Sequence, residues 1–195
     1  MTKASPLNVT LEAQHRIFVG LGWDPNESPT LIDKVGALIG TREAHHDLDL
    51  ACYFFNKDKA CLGFVNADSM YATNPSGSIY HSGDSVEGVG DGDDEQISVE
   101  LKNLPRNIEH LVFKASIKSG HSFNEIAMPE MRLCDGYTER VFLQAKLENG
   151  GQNDAYIFTH ISRGKNDGEW FYNHLDIYAK NTDAESWKEM LTRFL

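Results

Sequence analysis

The chain has 195 residues, of which 41% are hydrophobic and 24% charged, a composition typical of one globular domain with a sizeable core. Its formal net charge is −11, and the absence of a Lys/Arg stripe argues against nucleic-acid binding, which depends on neutralising phosphates. The first residues lack the apolar core of a signal peptide, and no apolar run approaches the ~18 residues of a membrane-spanning helix, so we expect a cytoplasmic protein.

Short segments rich in β-branched and aromatic residues recur along the chain, with turn residues between them. Two of these segments, 48–55 and 110–117, are nearly continuous apolar runs and are expected deep in the fold. The spacing predicts an all-β fold, a two-sheet β-sandwich. Eleven strands are predicted, at residues 7–11, 17–22, 48–55, 62–65, 79–81, 96–101, 110–117, 130–133, 140–147, 155–161 and 169–178.

One segment shows the period of a half-buried strand with particular clarity. Ile97, Val99 and Leu101 alternate with Ser98 and Glu100, so the apolar residues should share one face. We expect the other face to be exposed to water.

Two regions depart from the strand pattern. Residues 27–46 form a long, mixed insertion that is compatible with either a short helix or a loop. Residues 183–195 predict a helix that begins after Asp183 as N-cap and carries its apolar residues on one face. We therefore expect a single domain over residues 1–195 that ends in a short C-terminal helix docked on a sheet.

The most unusual segment is 81–96, in which acids and glycines alternate without a basic residue. The glycines let a chain wrap so that side-chain and main-chain oxygens converge on a hard cation such as Ca²⁺. An EF-hand starting at Asp91 does not fit, because Gln96 stands in place of the turn glycine and Lys102 in place of the bidentate Glu. The segment predicts a calcium site, with a solvated acidic loop as the alternative. Six carboxylates fall within twelve residues: Asp84, Glu87, Asp91, Asp93, Asp94 and Glu95.

Four motifs in this order resemble the TerD-type tellurium-resistance and stress-response domain. They are Gly20-Leu-Gly-Trp-Asp24, Asp47-Leu-Asp-Leu50, His81-Ser-Gly-Asp84 and Gly88-x-Gly-x-Gly-Asp-Asp-Glu-Gln-Ile97. The resemblance implies a calcium-binding β-sandwich in the bacterial cytoplasm that serves tellurite resistance and the general stress response and is not an enzyme.

The resemblance also implies a set of metal ligands. Asp47 and Asp49 lie two residues apart on a strand and therefore share one face, so both could complete a site beside the acidic loop. Two Ca²⁺ ions, the number we expect, would add four positive charges and change the net charge from −11 to −7. Metal binding and folding should therefore be coupled. The implied ligands are Asp47, Asp49, Asp84, Asp93, Asp94 and Glu95.

Several other residues have a functional and a structural interpretation. His45 and His46, directly before Asp47, could bind zinc or iron, but no third nitrogen or sulfur ligand lies nearby in sequence. Asn66 and Asp68 either offer an oxygen to the ion or form a turn. The cysteines lie in apolar segments and predict buried thiols in a reducing compartment. They are Cys52, Cys61 and Cys134.

The leading functional hypothesis is a non-enzymatic calcium-binding module that presents its ion-loaded acidic loop to a partner. That partner is either another stress-response protein or an anionic membrane surface, which would place the protein peripherally at the inner face of the membrane. A metal-dependent phosphoester hydrolase, in which the same carboxylates hold Mg²⁺ or Mn²⁺, is one alternative. An assembly scaffold with purely structural calcium is the other.

Overall fold

The structure, a computed structural model, describes residues 9–10, 16–25, 30–40, 45–85 and 92–195. Eleven strands and two α-helices lie within these ranges. The strands are β1 (Val9–Thr10), β2 (Ile17–Asp24), β3 (Leu48–Phe55), β4 (Cys61–Val65), β5 (Ile79–His81), β6 (Glu95–Val99), β7 (His110–Ile117), β8 (Ala127–Asp135), β9 (Val141–Lys146), β10 (Ala155–Arg163) and β11 (Trp170–Ala179). The helices are α1 (Leu31–Ile39) and α2 (Ala184–Leu191).

The strands form two antiparallel sheets. One has six strands in the order β1-β11-β10-β7-β3-β4, and the other has five in the order β5-β6-β2-β8-β9. Each of the eleven predicted segments overlaps one of these strands. The predicted all-β sandwich with a short C-terminal helix is therefore confirmed.

The six-stranded sheet is covered on both faces, which explains the continuous apolar runs in β3 and β7. Leu50 and Phe113 pack in the core between the two sheets. Tyr53 and Val112 point the other way, into a second cluster completed by Trp187 of α2. Because successive side chains of a strand alternate between faces, a strand buried on both sides needs apolar residues at almost every position.

Strand β6 follows its predicted period only in part. Ile97 and Val99 are fully buried, as expected. The alternation predicts Ser98 on the solvent-exposed face, but it is only 4% exposed and accepts a hydrogen bond of 3.1 Å from the Arg16 guanidinium. The prediction is wrong at Ser98, because a long side chain from a neighbouring segment covers the outer face of the strand.

Helix α2 begins and packs as the sequence predicts. The Asp183 carboxylate accepts a hydrogen bond of 2.9 Å from the Ser186 amide, which satisfies one of the unpaired N–H groups of the first turn. Trp187 and Leu191 are buried against the outer face of the six-stranded sheet. The helix therefore closes one face of the sandwich.

Helix α1 shows that the 27–46 insertion is helical in its middle part, a choice that the sequence leaves open. Thr30 and Asp33 form a capping box at its start, and Gly40 ends it in a left-handed conformation with φ of 72°. Its buried residues are Asp33 and Gly36, whereas its large apolar side chains point to solvent. The exposed residues are Leu31, Ile32, Val35, Leu38 and Ile39, and we call them the apolar stripe.

The three cysteines are free thiols, of which Cys52 and Cys134 are buried and Cys61 is half-buried. The expected burial is therefore correct for two of the three. Neither described helix is long and apolar enough to cross a bilayer.

Candidate metal centre

Three carboxylates from two separate chain segments meet at the start of β3. Asp47 directly precedes this strand, Asp49 is its second residue, and Asp84 follows β5. Each offers an oxygen, and these oxygens all lie within 4.8 Å of one another. Asp47 and Asp49 are half-buried and Asp84 is exposed. We call these three residues the acidic cluster, and all three belong to the predicted ligand set.

The donor atoms of the acidic cluster suit a hard cation. Ca²⁺ prefers oxygen ligands, and carboxylates supply both oxygen and compensating charge. One base reaches the cluster, since the Lys118 ammonium lies 2.9 Å from the Asp49 carboxylate. Burial lowers the pKa of Lys118, but Asp49, Asp47 and Asp84 outweigh that effect and raise it. Sequence reasoning missed Lys118, because only the pairing of β7 with β3 brings it to Asp49.

Glu95 lies fully buried at the start of β6 and links the two sheets. Its carboxylate accepts a hydrogen bond of 2.7 Å from the Leu50 amide of β3 and lies 3.2 Å from the His81 imidazole. Burial raises the pKa of Glu95, against the lowering effect of His81 and the Leu50 amide. This predicted ligand is thus held by backbone and imidazole groups of the same region, outside the acidic cluster.

Asp94 is hydrogen-bonded to a backbone amide of β2. Its carboxylate accepts a hydrogen bond of 2.9 Å from the Trp23 amide. Burial raises the pKa of Asp94, and the bond from Trp23 lowers it in part. The contact fastens the end of the acidic loop to β2.

Asp93 forms a bidentate ion pair with Arg132 of β8, at distances of 2.7 and 3.1 Å. Gln96 donates a further hydrogen bond of 2.9 Å to the same carboxylate. The group lies directly over Gly20, where an added Cβ would come within 2.1 Å of the Asp93 carboxyl carbon. Three donors therefore hold Asp93 on the five-stranded sheet. The assignment of the six implied ligands, Asp47, Asp49, Asp84, Asp93, Asp94 and Glu95, stays a prediction. The other two acids of the loop, Glu87 and Asp91, lie outside the described residues.

A buried chain of polar side chains connects α1 to the acidic cluster. Asp33 lies 3.1 Å from His121, whose other ring nitrogen is 2.8 Å from the Ser119 hydroxyl. That hydroxyl accepts a hydrogen bond of 3.2 Å from the Asp47 amide. Burial raises the pKa of Asp33, but the hydrogen bonds from Thr30 and His121 outweigh it and lower the pKa to about 2.

The order of acid, imidazole and hydroxyl in this chain is that of a serine hydrolase triad. Ser119 is only 1% exposed, however, and its oxygen already accepts the Asp47 amide. A nucleophile must reach a substrate carbonyl, so this arrangement fits a structural link better than a catalytic site.

In the part of the chain that the structure describes, the transition-metal alternative at His45 and His46 gains no further ligand. His46 is buried and packs edge-on against His121, with ring centroids 4.8 Å apart. Within the described ranges, the acidic cluster is the single group of three His, Cys, Asp or Glu side chains that is close enough to hold an ion. Its oxygen-only donors favour Ca²⁺ over zinc or iron.

The two antiparallel sheets and the clustered carboxylates place this chain among acidic β-sandwich proteins that carry several carboxylate oxygens at the start of one strand. The family model of the TerD domain matches residues 1–180, and the chain therefore belongs to the TerD domain family. The family resemblance read from the four motifs is confirmed. The extent of the domain over residues 1–195 stays a prediction.

The relatives of this chain include resistance and stress-response proteins. The chain is 32% identical over 163 residues to "Tellurium resistance protein TerZ" of Serratia marcescens, covering 84% of this chain and 80% of the relative. It is 35% identical over 190 residues to "Stress response protein SCP2" of Bacillus subtilis, covering 92% and 89%. A crystal structure of a homologue of telluride resistance protein (TerD) from Streptomyces coelicolor superposes with a TM-score of 0.69 at 22% identity, over 90% of this chain and 95% of that one. That likeness shows the shared fold.

Proposed function

We propose that this protein is a non-enzymatic calcium-binding protein of the bacterial tellurite-resistance and stress response, working in the cytoplasm. The observation that carries the proposal is the acidic cluster, in which Asp47, Asp49 and Asp84 converge within 4.8 Å. Like charges at this distance repel one another, and a divalent cation among them turns that repulsion into attraction.

The charges of the cluster match one divalent ion. Three carboxylates and the Lys118 ammonium leave two formal negative charges, which a single Ca²⁺ balances. Ca²⁺ takes about six to eight oxygen ligands, so backbone carbonyls and water would complete the shell. A second ion, as the resemblance implies, would have to draw on Glu95, on Asp94 and on acids outside the described residues.

A calcium titration tests the proposal directly. Isothermal titration of the chelator-treated protein should show saturable Ca²⁺ binding and count the ions. Mg²⁺ should bind more weakly, because it demands a tight octahedral shell and dehydrates reluctantly. Asp84→Asn should weaken binding, while the exposed turn variant Asp167→Asn should leave it unchanged. Absence of saturable binding at millimolar Ca²⁺ would refute the calcium function.

The apolar stripe of α1 supports an anionic membrane surface as the partner. Leu31 and Leu38 are 80% and 86% exposed, and the Asp33–His121–Ser119 chain joins their helix to the acidic cluster. A chain with net charge −11 can approach anionic lipid only through a bridging cation, and exposed apolar side chains can then enter the interface.

Vesicle sedimentation separates this partner from a protein one. The protein should sediment with phosphatidylserine/phosphatidylcholine vesicles in Ca²⁺ and remain in solution with chelator. Leu38→Ser should reduce the bound fraction severalfold, whereas Tyr137→Ser, at another exposed apolar residue, should not. Failure to bind vesicles while Ca²⁺ still binds would point to another stress-response protein instead.

A further inference from the structure

A second site lies on the outer face of the six-stranded sheet, beside the first turn of α2. It is a cavity of about 150 Å³. Lys114 and Ser116 of β7 line its base, and Trp187 of α2 lines one wall. The aromatic side chains Tyr53 and Phe64 line another part. Asp49, Asp68 and Lys118 line it as well, so the cavity combines two cations, two carboxylates, a hydroxyl and apolar ring surfaces.

Lys114 at the base of the cavity is a buried cation without an acidic partner. It is only 4% exposed, and among the described residues no carboxylate lies within 4 Å of its ammonium. Its contacts are the Ser116 hydroxyl at 2.9 Å and the ring of Trp187 at 4.8 Å from the centroid. The nearby Asp49 carboxylate is already engaged by Lys118 at 2.9 Å.

An uncompensated buried charge is costly, because it has lost its water and gained no opposite charge. Burial accordingly lowers the pKa of Lys114 to about 7, which Asp49 opposes only in part. An anion placed against the ammonium and the Ser116 hydroxyl would supply the missing charge and accept both hydrogen bonds.

A second polar atom of the cavity also lacks a partner. The Oδ1 atom of Asn66 is buried, and in the described part of the chain it accepts no hydrogen bond. Most buried polar atoms in folded proteins are hydrogen-bonded. Asn66 thus offers a polar contact to a ligand on the side of the cavity formed by the segment after β4.

From these contacts we propose that the cavity binds a small organic anion, a carboxylic acid with a flat apolar body of about one ring. Its carboxylate lies against Lys114 and Ser116, and its ring packs between Trp187 and Tyr53. The volume leaves room for one ring, since a cavity of about 150 Å³ accepts benzene in another protein, although the lining there is apolar and here it is mixed. Asp49 of the acidic cluster also lines this cavity, but the groups proposed to contact the ligand, Lys114, Ser116 and Trp187, lie outside the cluster.

Benzoate and benzylamine, which share a ring and differ in charge, provide the test. We expect benzoate to cause saturable shifts of the backbone amide NMR signals around residues 114–116 and of the Trp187 indole signal. Benzylamine should leave these signals unchanged. Benzoate should cause these shifts in chelator as well as in Ca²⁺, which separates this site from the calcium function.

A matched pair of variants locates the charge. Lys114→Met keeps the length of the side chain and should weaken benzoate binding at least tenfold, whereas Lys146→Met, on an exposed position of β9, should bind as the wild type does. The proposal is overturned if benzylamine binds as well as benzoate or if Lys114→Met retains wild-type affinity. It is also overturned if benzoate causes no saturable shift at concentrations up to about 10 mM, which would mean that any binding is weaker than millimolar. The comparison of the two ligands on the wild type needs no variant to fold.

Discussion

Replacing Asp49 by Asn should have opposite consequences for the calcium-bound and the calcium-free protein. In the free protein the change removes the repulsion of Asp49 by Asp47 and Asp84, at distances up to 4.8 Å, and also its attraction to Lys118 at 2.9 Å. Coulomb's law gives about 1 to 3 kcal/mol for each repulsion and a somewhat larger value for the closer attraction, before screening. The terms nearly cancel, so the free energy of unfolding should change by no more than about 1 kcal/mol.

With calcium present the same variant should lose stability. An ion at a hundred times its Kd stabilises the folded state by about 2.7 kcal/mol. Loss of one of three carboxylate ligands removes most of this gain. For a chain of this length, each kcal/mol corresponds to about 2 to 4 °C in Tm, so the calcium-induced rise of about 5 to 10 °C should be nearly abolished.

Thermal melts followed by circular dichroism, at fixed free Ca²⁺ and with chelator, measure both effects. The control is Asp167→Asn, which removes an exposed acid from a turn and should preserve the calcium-induced rise. The reasoning fails if wild-type Tm does not respond to Ca²⁺. It also fails if Asp49→Asn costs the same stability in chelator as in calcium, since the cluster would then be a purely structural feature.

Three further predictions concern stability. Arg132→Met should lower the free energy of unfolding by about 3 kcal/mol, because it leaves the buried Asp93 carboxylate without its cation. Urea unfolding measures this loss, and calcium affinity should stay within a few-fold of wild type. Gly20→Ala should lower the free energy of unfolding by a similar amount, because the added methyl group pushes Asp93 away from Arg132. The double variant should lose less stability than the sum of the two single losses, since both changes break the same ion pair. Additive losses would contradict the contact between Gly20 and Asp93. Burial, together with the nearby His110 and Lys59, lowers the pKa of His160 from 6.5 to about 4. As pH falls, the unfolded state therefore takes up this proton before the folded state does. The free energy of unfolding should fall by about 3 kcal/mol between pH 7 and pH 4. His160→Gln should flatten that slope, and an unchanged slope in urea titrations across pH would show that other groups cause it.

Strand positions could be predicted from sequence because their signal is local. Alternation in β6 and continuous apolar runs in β3 and β7 are properties of neighbouring residues, and turn residues mark the boundaries. The face of Ser98 could not be predicted, since Arg16, which covers it, belongs to another segment.

Helix α1 shows the limit of local patterns. The residues of its capping box, Thr30 and Asp33, can be recognised in the sequence. The orientation of the helix is unusual, because Asp33 faces the domain and the apolar stripe faces solvent. The side that faces the domain carries Asp33, which contacts His121 of a distant loop. This helix thus departs from the usual rule that the apolar side is buried, and a long-range polar contact lies on its buried side.

The sequence by itself determined that this protein is an acidic β-sandwich of the TerD family with carboxylates in adjacent motifs. Tertiary structure decided how those carboxylates are used, because each partner comes from a different strand. Asp93, Asp94 and Glu95 are consecutive, yet they bind Arg132, the Trp23 amide and the Leu50 amide. Lys114 likewise becomes buried, without an acidic partner among the described residues, where Trp187 packs over it, since burial and charge pairing are properties of the assembled sheets and helix.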